Sequence, residues 1–87
     1  MEISSPNRVD EIERHCTAVT RYIRYLIREA TEAEDLAQET FLHAHRQRET
    51  LRNVDALESW LYQIATHVSL DRMRQRARLA ARLEQFP

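Results

Sequence analysis

The chain contains no glycine and no lysine, a single cysteine and two prolines. Glycine supplies the positive-φ positions of tight hairpins and of loops that cradle phosphate. Its absence excludes the glycine-rich nucleotide-binding motifs and the G-x-S-x-G nucleophile elbow. Pro6 and Pro87 stand near the two ends, so no strong helix breaker lies between them. An all-helical domain is the expected fold class. The lone Cys16 excludes an intrachain disulfide and leaves too few thiols for a cysteine-based zinc site. No apolar run reaches the roughly 18 residues of a membrane span, so membrane insertion is not expected. Residues 1–10 lack the apolar stretch of a signal peptide. Together these features point to a cytoplasmic protein.

What is present is an ordinary globular composition: 87 residues, 43% hydrophobic and 31% charged. A chain of this length buries only about 60–65% of its unfolded surface, enough for one modest core and not for an enclosed active site. The net charge of −1 hides an asymmetry. Residues 29–39 hold Glu29, Glu32, Glu34, Asp35 and Glu39 and no base. Residues 72–82 hold five arginines and no acid. Such a chain can show an acidic patch to one partner and a basic patch to another. The alternative is two solvated helix faces.

Hydrophobic periodicity predicts a bundle of about three main helices and no sheet. Residues 1–7 read as a tail. Over 8–29, Val9, Ile12, Cys16, Val19, Ile23, Leu26 and Ile27 recur at three- and four-residue steps as one stripe, which makes Cys16 a buried small hydrophobe and His15 a boundary residue. Thr31 with Glu34 forms a capping-box pattern opening a second helix over 31–48. Its inward face is Ala33, Leu36, Ala37, Thr40, Phe41 and Ala44. Its outward face gathers Asp35, Gln38, Glu39, Leu42 and Arg46. Leu42 among those polar groups suggests a protein contact, although a single exposed leucine is common. Residues 49–55 break the periodicity, with Asn53 as the candidate left-handed turn residue. Asp55 and Glu58 give a second capping signal, for a helix over 56–82 with Leu57, Leu61, Ile64, Ala65 and Val68 buried. A further row carries Gln63, His67, Arg74 and Arg78, with Trp60 beside it. These side chains suit stacking on bases and holding phosphates. The competing readings are that Trp60 caps the core and that the arginines complement the helix dipole.

Catalytic chemistry is not legible. His43 and His45 are two apart on a helix and diverge, and no H-E-x-x-H pair occurs, so no metal and no cofactor is expected. His67 has no obvious carboxylate partner. Ser59 and Ser69 have no recognisable base, and Asp35 with Glu39 form an exposed carboxylate pair without a pocket. A non-enzyme is expected.

Residues 33–48 read AEDLAQETFLHAHRQR and residues 59–78 read SWLYQIATHVSLDRMRQRAR. Together they closely resemble region 2 of the extracytoplasmic-function (ECF) sigma factors of the sigma-70 family, over about residues 9–78. The D-L-x-Q-E-x-F-L core and the W-L-Y-x-I-A segment carry the resemblance jointly. The glycine-free loop over 51–56 also resembles the iron-uptake subgroup. The resemblance implies a bacterial transcription initiation module. Asp35, Gln38, Glu39 and Leu42 would dock on the clamp helices of the RNA polymerase β′ subunit. The loop over 49–55, with Leu51, Arg52 and Asn53, is similar to the specificity loop that captures a base flipped from the promoter −10 element. Trp60, Gln63, His67, Arg72, Arg74, Arg76 and Arg78 would hold the single-stranded non-template strand. Unstacking a base costs a few kcal/mol. Base–aromatic stacking returns roughly 1–3 kcal/mol per base, and arginines add a salt-dependent term.

The chain departs from the family pattern in three ways. His67 stands where many members carry Asn, which would alter base preference and make binding pH-sensitive. Asn53 and Val54 stand where a glycine is frequent. Region 4, the helix-turn-helix domain for the −35 element, is missing, and the expectation is a single region 2 domain over 1–87, either a fragment of a longer protein, which is favoured, or a naturally truncated one. Two other function classes compete. One is a protein-interaction domain acting through an anti-sigma factor, itself an expected partner. The other is a duplex-binding regulator, disfavoured because no pair of short helices with a tight turn is visible.

Overall fold

The structure, a computed structural model, describes residues 9–85. The expected tail over 1–7 and the side chain of Val9 lie outside the described residues. Four α-helices follow in order: α1 (Val9–Arg14), α2 (Cys16–Leu26), α3 (Ala30–Arg46) and α4 (Leu57–Glu84). Short 3-10 turns, Arg48–Thr50 and Val54–Ala56, connect α3 to α4. Among the described residues there is no strand, in keeping with the all-α expectation.

The bundle forms around α3, which packs against both α2 and α4. Ile12, Val19, Ile23, Leu36 and Leu61 are fully buried at its centre. Each such side chain contributes roughly 1.5–3 kcal/mol by leaving water. Thr40 is also fully buried, and its hydroxyl is satisfied by donating to the Leu36 carbonyl at 2.8 Å. Tyr22, Leu26, Phe41, Trp60, Ile64 and Val68 lie half-buried around this centre.

Five local expectations are corrected. The single helix over 8–29 is two helices, interrupted at His15, whose N–H bonds the Ile12 carbonyl at 3.1 Å. Cys16, next to the interruption, is exposed rather than buried, while Ile12 and Val19 stay inside. Glu29, not Thr31, caps α3. Its extended backbone lets its carboxylate accept from the Glu32 N–H at 2.8 Å and the Thr31 N–H at 3.1 Å. These two bonds, Glu32 first, hold the Glu29 carboxyl below its ordinary range. Asn53 is extended (φ −118°, ψ 111°) rather than left-handed, and its Oδ1 caps the Val54–Ala56 turn by accepting from the Asp55 N–H at 3.0 Å. Asp55 therefore sits inside that turn, and α4 starts after Ala56 with no side-chain cap.

Candidate functional site

The outward face of α3 has the composition its periodicity dictates. Asp35, Gln38, Glu39, Leu42 and Arg46 are all exposed, with Leu42 at 48%. Asp35, Gln38, Glu39 and Leu42 share a shallow depression of about 340 Å³ with Arg72 of α4. Arg72 joins the two helices electrostatically. Its guanidinium lies 3.2 Å from Glu32 Oε2, 3.4 Å from Asp35 Oδ2 and 3.5 Å from Glu39 Oε1. The hydrogen bond to Glu32, with help from Asp35 and Glu39, raises the Arg72 pKa against the opposing effect of burial. Arg76 approaches the other Glu32 oxygen, Oε1, at 2.8 Å.

Glu32 is the residue that sequence reading missed. It is 8% exposed and holds both arginines. A signal existed: Glu32, Leu36 and Thr40 form one buried row at four-residue spacing. A carboxylate on such a row needs a cationic partner, because an unpaired buried charge is costly. The arginine run of α4 supplies it.

The second surface lies on α4. Glu58, Ser59, Tyr62, Gln63, Thr66 and His67 line an open groove of about 510 Å³. Its wall is braced from α2. The Tyr22 and Tyr62 rings meet edge-to-face with centroids 5.1 Å apart. Thr66 Oγ1 donates to the Tyr62 carbonyl at 2.8 Å, so the Tyr22 hydroxyl donates to Thr66 Oγ1 at 2.6 Å. Trp60 is half-buried against the core. Part of its surface packs inward and part stays accessible.

The structure divides the remaining candidates. Arg52 and Asn53 are exposed on the connecting loop, whereas Leu51 is only 6% exposed and anchors that loop in the core. Its side chain is not offered at the surface. Val54 and Asp55 border a cleft of about 280 Å³ shared with Arg14 and His15. Gln63, His67, Arg74 and Arg78 are exposed along α4. Arg74 pairs with Asp71 at 3.4 Å, and Arg78 makes no ion pair among the described residues. Arg72 faces the acids of α3 instead of open solvent. Cys16 opens on a groove shared with Thr20, Phe41 and His45. Among the described residues, no three His, Cys, Asp or Glu side chains come together to hold a metal ion. No helix there is long and apolar enough to cross a membrane.

Residues 12–79 match the family model Sigma-70 region 2. Over 86 residues the chain is 31% identical to the ECF RNA polymerase sigma factor SigE of Mycolicibacterium smegmatis, covering 99% of this chain and 32% of that protein. It is 36% identical over 62 residues to the ECF RNA polymerase sigma factor SigM of Mycobacterium tuberculosis, covering 71% of this chain and 32% of the relative. With the ECF RNA polymerase sigma factor SigW of Bacillus subtilis it shares 40% identity over 45 residues, 52% of this chain and 24% of the relative. The chain thus spans about a third of the length of the first two curated relatives. No solved structure matches it.

Proposed function

This chain belongs to the sigma-70 region 2 family, and we propose that, as part of an ECF sigma factor, it docks on core RNA polymerase and holds the melted −10 promoter strand. The single observation that carries the reading is the separation of two exposed surfaces on adjoining helices. The α3 face presents carboxylates around an exposed leucine, a composition suited to a protein partner. The α4 face presents an open groove with a ring, amide and imidazole, continued by arginines, a composition suited to single-stranded nucleic acid.

In this mechanism Asp35, Gln38, Glu39 and Leu42 meet the β′ clamp helices. The non-template strand runs along the α4 groove. Gln63 and His67 reach base edges, Trp60 and Tyr62 offer ring surface, and Arg74, Arg76 and Arg78 neutralise phosphates. Arg52 and Asn53 on the loop, above the cleft beside Arg14 and His15, receive a flipped base. Leu51 sets the height of that loop from the core. Arg72 and Arg76 also meet Glu32 of α3, and Arg72, which reaches Asp35 and Glu39 as well, ties the polymerase face to the DNA helix. No bond is made or broken by this domain, and the polymerase performs the chemistry. None of the three relatives is named for iron uptake, and that subgroup is not proposed.

A second reading, an inhibitory protein partner such as an anti-sigma factor, draws on Leu70, Met73, Leu79 and Leu83. All four are exposed on α4, where DNA phosphates give apolar side chains nothing. Fluorescence anisotropy with a labelled −10 strand, offered alone and as duplex, separates the readings. Tighter binding to the single strand is expected. A duplex preference contradicts the proposal, and no binding to either form leaves the protein-interaction reading.

A further inference from the structure

The exposed face of α2 carries cations without acids. Between Glu13 and Glu29 the chain holds Arg14, Arg21, Arg24 and Arg28 and no acidic residue. Arg21, Arg24 and Arg28 are exposed and form no ion pair among the described residues. Arg72, Arg74 and Arg76, by contrast, each meet a carboxylate. Tyr25 stands among the free arginines and is 80% exposed, more than any other large hydrophobic side chain left at the described surface. Arg21 precedes it by one turn of α2, Arg24 is its neighbour in sequence, and Arg28 follows just past the helix end.

Neither the core nor the helix benefits from this arrangement. The Tyr25 ring is not packed into the core. Arg21 and Arg24 are like charges at three-residue spacing on α2, which disfavours helix, and Arg28 follows just past the helix end. Continuity with the α4 groove gives the face a direction. Tyr22, three residues before Tyr25, is the ring that meets Tyr62 and bonds Thr66, and both of those line the groove. Tyr62, Tyr22 and Tyr25 therefore form a row leading from the groove onto α2.

We propose that this face of α2 is a second segment of the single-strand path, with Tyr25 stacking one base and Arg21, Arg24 and Arg28 holding the phosphates around it. The proposal rests on the reading of α4 as a single-strand surface. A polyanion bearing planar bases uses both features of the patch, whereas an acidic peptide would use the arginines and leave the ring idle.

The test uses the whole chain and a labelled −10 single strand long enough to cross both helices. Tyr25→Ala is expected to weaken binding about tenfold, and Tyr25→Phe, which keeps the ring, to bind as the wild type does. Arg21→Gln with Arg24→Gln is expected to lower the slope of log affinity against log salt by about 1.4, at about 0.7 per phosphate contact. A strand substituted with iodouracil is expected to crosslink to Tyr25 in the unmodified chain. Binding that Gln63→Ala weakens and Tyr25→Ala leaves unchanged overturns the α2 segment alone. Crosslinks confined to α4, or an acidic peptide of equal charge that displaces the strand from α2 at the same concentration as DNA does, also overturn it. A folded wild-type chain that binds no single strand overturns the functional reading and this one with it.

Discussion

The two halves of α4 are one uninterrupted helix built under different rules. In the first half, Leu57, Leu61, Ala65 and Ser69 recur every four residues and are buried against the rest of the bundle. In the second half every residue from 73 to 85 is exposed. The first half is helical because packing demands it. The second is rich in Arg, Ala, Leu and Gln, all good helix formers, and it has no packing partner among the described residues. What ties it to the bundle is charge: Arg72 and Arg76 reach Glu32 at the edge of the core. Periodicity therefore sets where α4 sits, and one buried carboxylate sets how its basic end is held.

The largest expected effect breaks the packed half. Leu61 is fully buried, so Leu61→Ala should cost about 2–5 kcal/mol in chemical denaturation. Leu79→Ala, on the exposed half, should stay within about 0.5 kcal/mol of wild type. Equal losses at the two positions would erase the distinction.

Next comes the link between the halves. Glu32→Gln removes the charge that both Arg72 and Arg76 meet, with an expected cost of about 1–2 kcal/mol. Amide exchange should rise selectively beyond Arg72. Unchanged exchange there would mean that helix propensity alone orders the end.

A smaller effect belongs to the start of α3. The Glu29 carboxyl is held below its ordinary range by the Glu32 and Thr31 N–H groups. A depressed pKa adds stability that is full above the unfolded value and is lost as pH falls through the folded one. Thermal melts of wild type and Glu29→Gln should therefore differ at neutral pH and converge in acid. A gap that persists once carboxyls are protonated contradicts the cap.

The smallest concerns the groove. His67 is exposed in it. His67→Ala should weaken binding of the −10 single strand a few-fold, and an affinity equal to that of the wild type would contradict its place on the strand path.

Much of this was readable without coordinates. The inward set on α3 came from spacing alone, because a helix against a core has one answer to its period. The outward set, Leu42 included, followed as its complement. Two of the failures share one physical cause: side-chain to backbone bonding overrode pattern. Glu29 is one residue type away from the usual caps, yet its longer side chain reaches two N–H groups. Asn53 caps a 3-10 turn that periodicity cannot register. The break at His15, closed by a backbone bond to Ile12, and the outward Cys16 beside it leave no mark in the hydrophobic period. Tertiary pairs across distant segments were out of reach as well. Nothing local announces that Tyr22 will bond Thr66, or that Arg72 will face Glu32, Asp35 and Glu39.

The central claim is that the outward face of α3 is the polymerase-docking surface. Its most direct test is binding of the folded chain to a β′ clamp-helix fragment, alongside Asp35→Arg and Leu42→Ala, both at exposed positions. The account predicts saturable binding that Asp35→Arg abolishes and Leu42→Ala weakens, with the unfolding transition unchanged for Leu42→Ala. A folded chain that does not bind the fragment, or variants that bind it as tightly as wild type, would contradict the account.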